Sequence, residues 1–162
     1  MLASSIIPTV LLPVWVAVTL WFVGAFARVT SGERAERLYA WSWMLGSLAM
    51  WIHIFASYAV VYHWCHAEAL QATAEESERV TGIRAGWGVY VNFVFALVWS
   101  IYSALLVKGG TRQLTTDRAV FWFTAAIVLM ATVVFEAGAV RIASGVGFLA
   151  FCAVALSNAR RD

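Results

Sequence analysis

The sequence predicts an all-α integral membrane protein, a bundle of five transmembrane helices whose second helix extends beyond the outer face. Three observations carry this prediction. Of its 162 residues 62% are hydrophobic and only 12% charged, about half the ~25% charge content of a soluble domain. Apolar stretches able to cross a ~30 Å hydrocarbon core recur at about 8–27, 39–66, 87–107, 119–135 and 140–156. The connections between them are short, and their basic residues are unevenly shared.

Segment one opens on Pro8 and Pro13, near a helix start where a missing N–H costs least, and carries no charge up to Arg28. Ala25-Phe26-Ala27 has the small-residue spacing of a signal-peptidase site. However, no Lys or Arg precedes Arg28, and the apolar run exceeds the ~7–15 residues of an h-region, so the segment reads as a retained first helix. Arg28 to Arg37 forms a polar link, with Ser31 or Gly32 as N-cap before Glu33. Segment two begins near Tyr39 and reaches His66. Ala67 to Val80 continues with good helix formers and neither Gly nor Pro, and Thr81-Gly82 reads as the C-cap. The second helix is therefore expected to run unbroken past the membrane surface. Segment three spans Trp87 to Val107 and stops at Lys108-Gly109-Gly110. Thr115, Thr116 or Asp117 can cap segment four, Glu136-Ala137-Gly138 makes a tight turn, and segment five follows. There is no internal repeat and no separate soluble domain.

The basic residues orient the chain. Arg28, Arg34, Arg37, Lys108, Arg112, Arg118, Arg160 and Arg161, eight of the eleven Lys and Arg, fall in links that share one side of a five-span protein. The other side holds Arg79, Arg84 and Arg141, offset by Glu68, Glu75, Glu76, Glu78 and Glu136. The N-terminus is thus expected outside and the C-terminus in the cytoplasm.

Several function classes leave no trace. No basic run suits nucleic acid, and Cys65 and Cys152 form neither a disulfide framework nor a C-x-x-C motif. G-x-S-x-G, H-E-x-x-H, a phosphate-binding glycine loop and paired intramembrane carboxylates are all missing. The expected partners are the lipid bilayer and further membrane subunits or a second copy of the chain, not nucleic acid.

What remains is a histidine pattern. All three histidines stand in one segment, H-x9-H-x2-H, followed by an acidic helix and G-W-G-x-Y-x-N. On a continuous helix His63 and His66 point the same way and can share one ligand. His53 lies about 15 Å further down the axis, so it belongs to a separate site near mid-membrane. Tyr90 and Asn92 at the start of segment three, and Glu136 at the end of segment four, share the outer level. His63, His66, Glu136 and Asn92 thus form a candidate set for copper, zinc or iron. Against it stands the plainer reading of His63 and His66 as half-wet interfacial residues beside Tyr62 and Trp64. His53, an ionisable group within a span, is a candidate cofactor ligand, or else a histidine bonded to a neighbouring helix. A bis-histidine haem between two helices of one chain is excluded, because no other span contains a histidine. A porphyrin or chlorophyll-type pigment with one axial histidine passes this test.

Two functions follow. One is a small membrane subunit that binds a metal or porphyrin through outer-face histidines, in electron transport for example. The other is a non-catalytic structural or accessory subunit of a larger membrane complex. The topology is open to a direct check: cysteines introduced at Glu76 and Gly110 are expected to react with an impermeant thiol reagent from opposite sides, Glu76 from outside. Labelling from the same side contradicts the arrangement.

Overall fold

The computed structural model describes residues 2–109, 114–135 and 139–159, with side chains over 9–109, 115–135 and 141–158. The chain forms α1 (Leu2–Arg28), α2 (Glu33–Val60), α3 (His66–Thr81), α4 (Gly88–Val107), α5 (Leu114–Leu129, prolonged by a π-turn over Met130–Val134) and α6 (Ala139–Ala159). Five of these are long and apolar enough to cross a membrane; α3 is not. The five contact one another in the order α1, α2, α4, α5, α6 and back to α1, so the bundle closes on itself, with the α1–α2 hairpin its most extensive contact.

Two boundaries differ from expectation. α1 begins at Leu2 rather than near Pro8, which places both prolines inside the helix. α2 begins at Glu33 with Gly32 as its N-cap, as expected, and carries two acidic residues in its first turn where the helix dipole favours them. The second difference is a correction to the unbroken second helix. α2 stops at Val60, and α3 is a separate helix that lies against α4. Its close at Gly82, in the left-handed conformation with its N–H on the Glu78 carbonyl, agrees with the C-cap expected there.

The centre of the bundle is aromatic. The Phe121 ring of α5 stacks on Trp21 of α1 (centroids 5.5 Å apart) and on Trp43 of α2 (6.1 Å), and Trp43 meets Trp99 of α4 edge-on. Indoles this large fit between helices only where the facing residue lacks a side chain. A Cβ on Gly24 would collide with the Trp43 indole, and one on Gly46 would lie 2.8 Å from Trp99. The polar edges of two indoles are also placed: Trp21 Nε1 donates to Thr124 Oγ1 at 3.1 Å and Trp43 Nε1 to the Trp21 carbonyl at 3.3 Å. Without such partners, buried N–H groups would cost about 1–3 kcal/mol each. The apolar side chains left exposed, among them Trp122, Ile142, Val146 and Leu149, face outward around the ring.

Candidate functional site

Polar chemistry collects at the two ends of the bundle. At the end carrying α3, the chain turns sharply between Val61 and Cys65. His63 (φ 47°) and Trp64 (φ 62°) both adopt left-handed backbone, and the Trp64 N–H returns six residues to the Tyr58 carbonyl at 2.8 Å, closing α2. Glycine usually takes such a position, but histidine is among the residues that tolerate it. The reversal explains why the missing Gly and Pro misled: α3 carries small residues, Ala69, Ala74 and Ser77, on the face it buries. Folding back covers that face, whereas projecting onward would leave it wet.

The turn separates the paired histidines. His63 is exposed at its apex. His66, the first residue of α3, sits between two phenols: Tyr58 Oη of α2 lies 2.8 Å from Nδ1, and Tyr90 Oη of α4 lies 3.0 Å from Nε2. One imidazole therefore joins three helices, and both its nitrogens already have partners. Its ring stacks on Tyr58 at 17° and meets Tyr90 edge-on. Of the expected outer-level neighbours, Tyr90 does reach a histidine, but it reaches His66. Asn92 reaches neither histidine and instead lines two adjoining cavities. Glu136 lies outside the described residues, so its place in the candidate metal set is not defined. Among the described residues no group of three or more His, Cys, Asp or Glu side chains could hold a metal ion.

His53 stands apart, as its spacing requires. Its Nδ1 donates to the Val10 carbonyl of α1 at 2.7 Å, the plainer of its two expected roles. In the neutral ring this leaves Nε2 as an acceptor. Around α3 the acidic residues are largely matched: Arg79 Nε donates to Glu76 at 2.9 Å, Arg84 to Glu78 at 2.9 Å, and Arg84 lies 3.9 Å from Glu75. The Arg79 hydrogen bond holds the Glu76 carboxyl below the ordinary range. Arg141 donates to the Val134 carbonyl at 3.4 Å, at the end of the π-turn.

The opposite end holds a cluster that the sequence reading missed. Asp117, in the first turn of α5, is wholly buried. One carboxylate oxygen accepts Arg28 Nε at 2.8 Å and Nη2 at 2.6 Å. The other accepts Tyr39 Oη at 3.0 Å and Tyr102 Oη at 2.7 Å. The Arg28 guanidinium also lies 4.4 Å above the Phe121 ring. Four helices meet at this one carboxylate. Its oxygens accept from all of these groups and no solvent reaches it, so it ties the four helices together. In the sequence alone Asp117 stands as a possible cap and Arg28 as a topology signal. The available hint was that both, with Tyr39 and Tyr102, fall at one level of the bundle.

The His66 bridge makes a prediction. Replacing His66 with Phe keeps the ring and removes both hydrogen bonds, worth about 1 kcal/mol each at most on an exposed site. Amide exchange in the first turns of α3 is expected to quicken by roughly tenfold, with α1 and α5 unchanged. Unaltered exchange in α3 would show that the bridge does not hold the turn. No known protein family, curated protein or solved structure matches this chain.

Proposed function

We propose that this protein is a small integral membrane subunit with a non-catalytic, scaffolding role in a larger membrane assembly, its N-terminus outside and its C-terminus in the cytoplasm. One observation supports this reading above the rest. Among the described residues, ionisable groups bond from helix to helix: the buried Asp117 with Arg28 and two tyrosines, the part-buried His53 with Val10, and the exposed His66 with Tyr58 and Tyr90. A site that turns over substrate needs a polar group aimed at the substrate. Buried ionisable groups in a bilayer that bond only to neighbouring helices instead fit a framework. The exposed apolar ring suits contact with lipid and with other membrane subunits.

A second reading keeps a porphyrin or metal, and one detail favours it. A ligating histidine usually donates its other ring N–H to a carbonyl, which orients the free nitrogen, and His53 does this through Val10. The cavity that His53 lines is about 90 Å³, which suits a few waters better than a macrocycle. The donor set His63, His66, Glu136 and Asn92 is the weaker form of this reading, because the turn parts the two histidines and both His66 nitrogens already have partners.

Absorption spectroscopy with elemental analysis of the purified protein separates the two. A colourless protein with metal well below one equivalent, recovered in mild detergent with other membrane proteins, is the expected result. A Soret band, or about one equivalent of copper, zinc or iron, would replace the scaffolding role with the cofactor-binding one.

A further inference from the structure

Beneath α3 lie two neighbouring cavities. The smaller, about 90 Å³, lies between α2, α3 and α4 and is lined by His53, Ser57 and Tyr58 among others. The larger is an open cleft of about 660 Å³ between α3, the start of α4 and the π-turn of α5. Its walls are mainly apolar, including Ala72, Val91, Ile127, Met130, Ala131 and Phe135. Tyr62, Thr73 and Asn92 line both cavities and stand at their boundary. None of these three side chains hydrogen-bonds another described residue. Burial raises the Tyr62 phenol above its ordinary range, so it stays protonated and able to donate. Tyr62 and Thr73 are half-buried and Asn92 is exposed, so their hydroxyl and amide groups are accessible to a ligand at the edge of the cleft.

The shape and chemistry specify an occupant. A volume of 660 Å³ falls within the ~300–1,000 Å³ of small-ligand sites. A π-turn forms one wall, and π-turns recur at functional sites because they displace the backbone from regular packing. These three side chains are uncharged and offer both donors and acceptors, which a hydroxyl group matches. Among the described residues that line the cleft there is no Lys or Arg to meet an anionic head, whereas the Glu76 carboxylate is one of them, and Arg79 and Arg84 nearby are ion-paired. We propose that this double cavity binds an uncharged single-chain lipid with a hydroxylated head, the chemistry of a monoacylglycerol. Its head meets Tyr62, Thr73 and Asn92, and its chain lies in the cleft along Met130 and Ala131. The proposal requires that the five helices lie in a bilayer, as proposed above, but not that the protein be a scaffold.

Photo-crosslinking in phosphatidylcholine nanodiscs tests it on the full chain. Three diazirine probes with matched chains are compared: a monoacylglycerol, a fatty acid carboxylate and a phosphatidylcholine. The monoacylglycerol probe is expected to label the Trp87–Asn92 and Ile127–Phe135 regions saturably, with unlabelled monoacylglycerol competing. Asn92→Leu should weaken its half-saturation by about tenfold, and Ala72→Phe, which fills the cleft, should abolish that labelling. Circular dichroism melting checks that both variants fold. If one does not, the other and the competition in the unmodified chain decide. Equal labelling by the phosphatidylcholine probe would mean that bulk lipid fills the cleft, and equal labelling by the carboxylate that the head is not selected. Either result overturns the proposal, as does labelling unchanged in a folded variant. Failure of the nanodiscs to incorporate the protein would instead count against the membrane reading itself.

Discussion

A carboxylate buried among apolar helices is tolerated only when its charge is matched and its lone pairs are filled, and Asp117 meets both conditions through residues from three other helices. That requirement organises one end of the molecule. Arg28 must end α1 beside the start of α5, and Tyr39 and Tyr102 must enter from α2 and α4 at the same depth. The geometry then propagates along the helices: one turn beyond Asp117 lies Phe121, one turn beyond Tyr39 lies Trp43, and one turn before Tyr102 lies Trp99. The stacked rings of the core are thus in register with the ion pair beneath them. A slip of one residue in any of these helices would break the polar cluster and the aromatic packing together.

The α3 end is built on a different principle. Among the described residues it has no buried ion pair, and its helices are joined by the exposed bridge from Tyr58 through His66 to Tyr90. α3 lies against α4 and buries Ala69, Ala74 and Ser77, and α5 departs from regular helix over Met130–Val134. The cleft proposed to take a lipid lies at this end, away from the Arg28–Asp117 pair.

Much of the fold was legible in the sequence because length and hydropathy suffice to mark a membrane-sized helix. Five spans and the Gly82 cap follow from local signals such as Lys108-Gly109-Gly110 and Thr81-Gly82. The break after Val60 was not legible, because it depends on left-handed backbone at His63 and Trp64, residues that carry no obvious turn signal. The change from an all-apolar segment to one with a single small-residue face at Ala69, Ala74 and Ser77 was the available clue. The histidine spacing was read on a continuous helix, so His63 and His66 were paired and His66 was not linked to Tyr58. The Asp117 cluster joins residues 15 to 89 positions apart, and such convergence is a product of packing order. His53 was separated from the others by distance along the axis alone, and the structure keeps it separate.

The account depends most on the Arg28–Asp117 pair, and a double-mutant cycle measures it directly. Arg28→Ala, Asp117→Ala and the combined variant would be compared by reversible unfolding in detergent. Each single change leaves the partner charge buried and should destabilise by about 3–5 kcal/mol. The double variant should be worse than either alone but fall short of their sum by a coupling of about 1–3 kcal/mol. Additive effects, with coupling no larger than the ~0.3–0.5 kcal/mol seen for independent sites, would show that this end of the bundle does not depend on the pair.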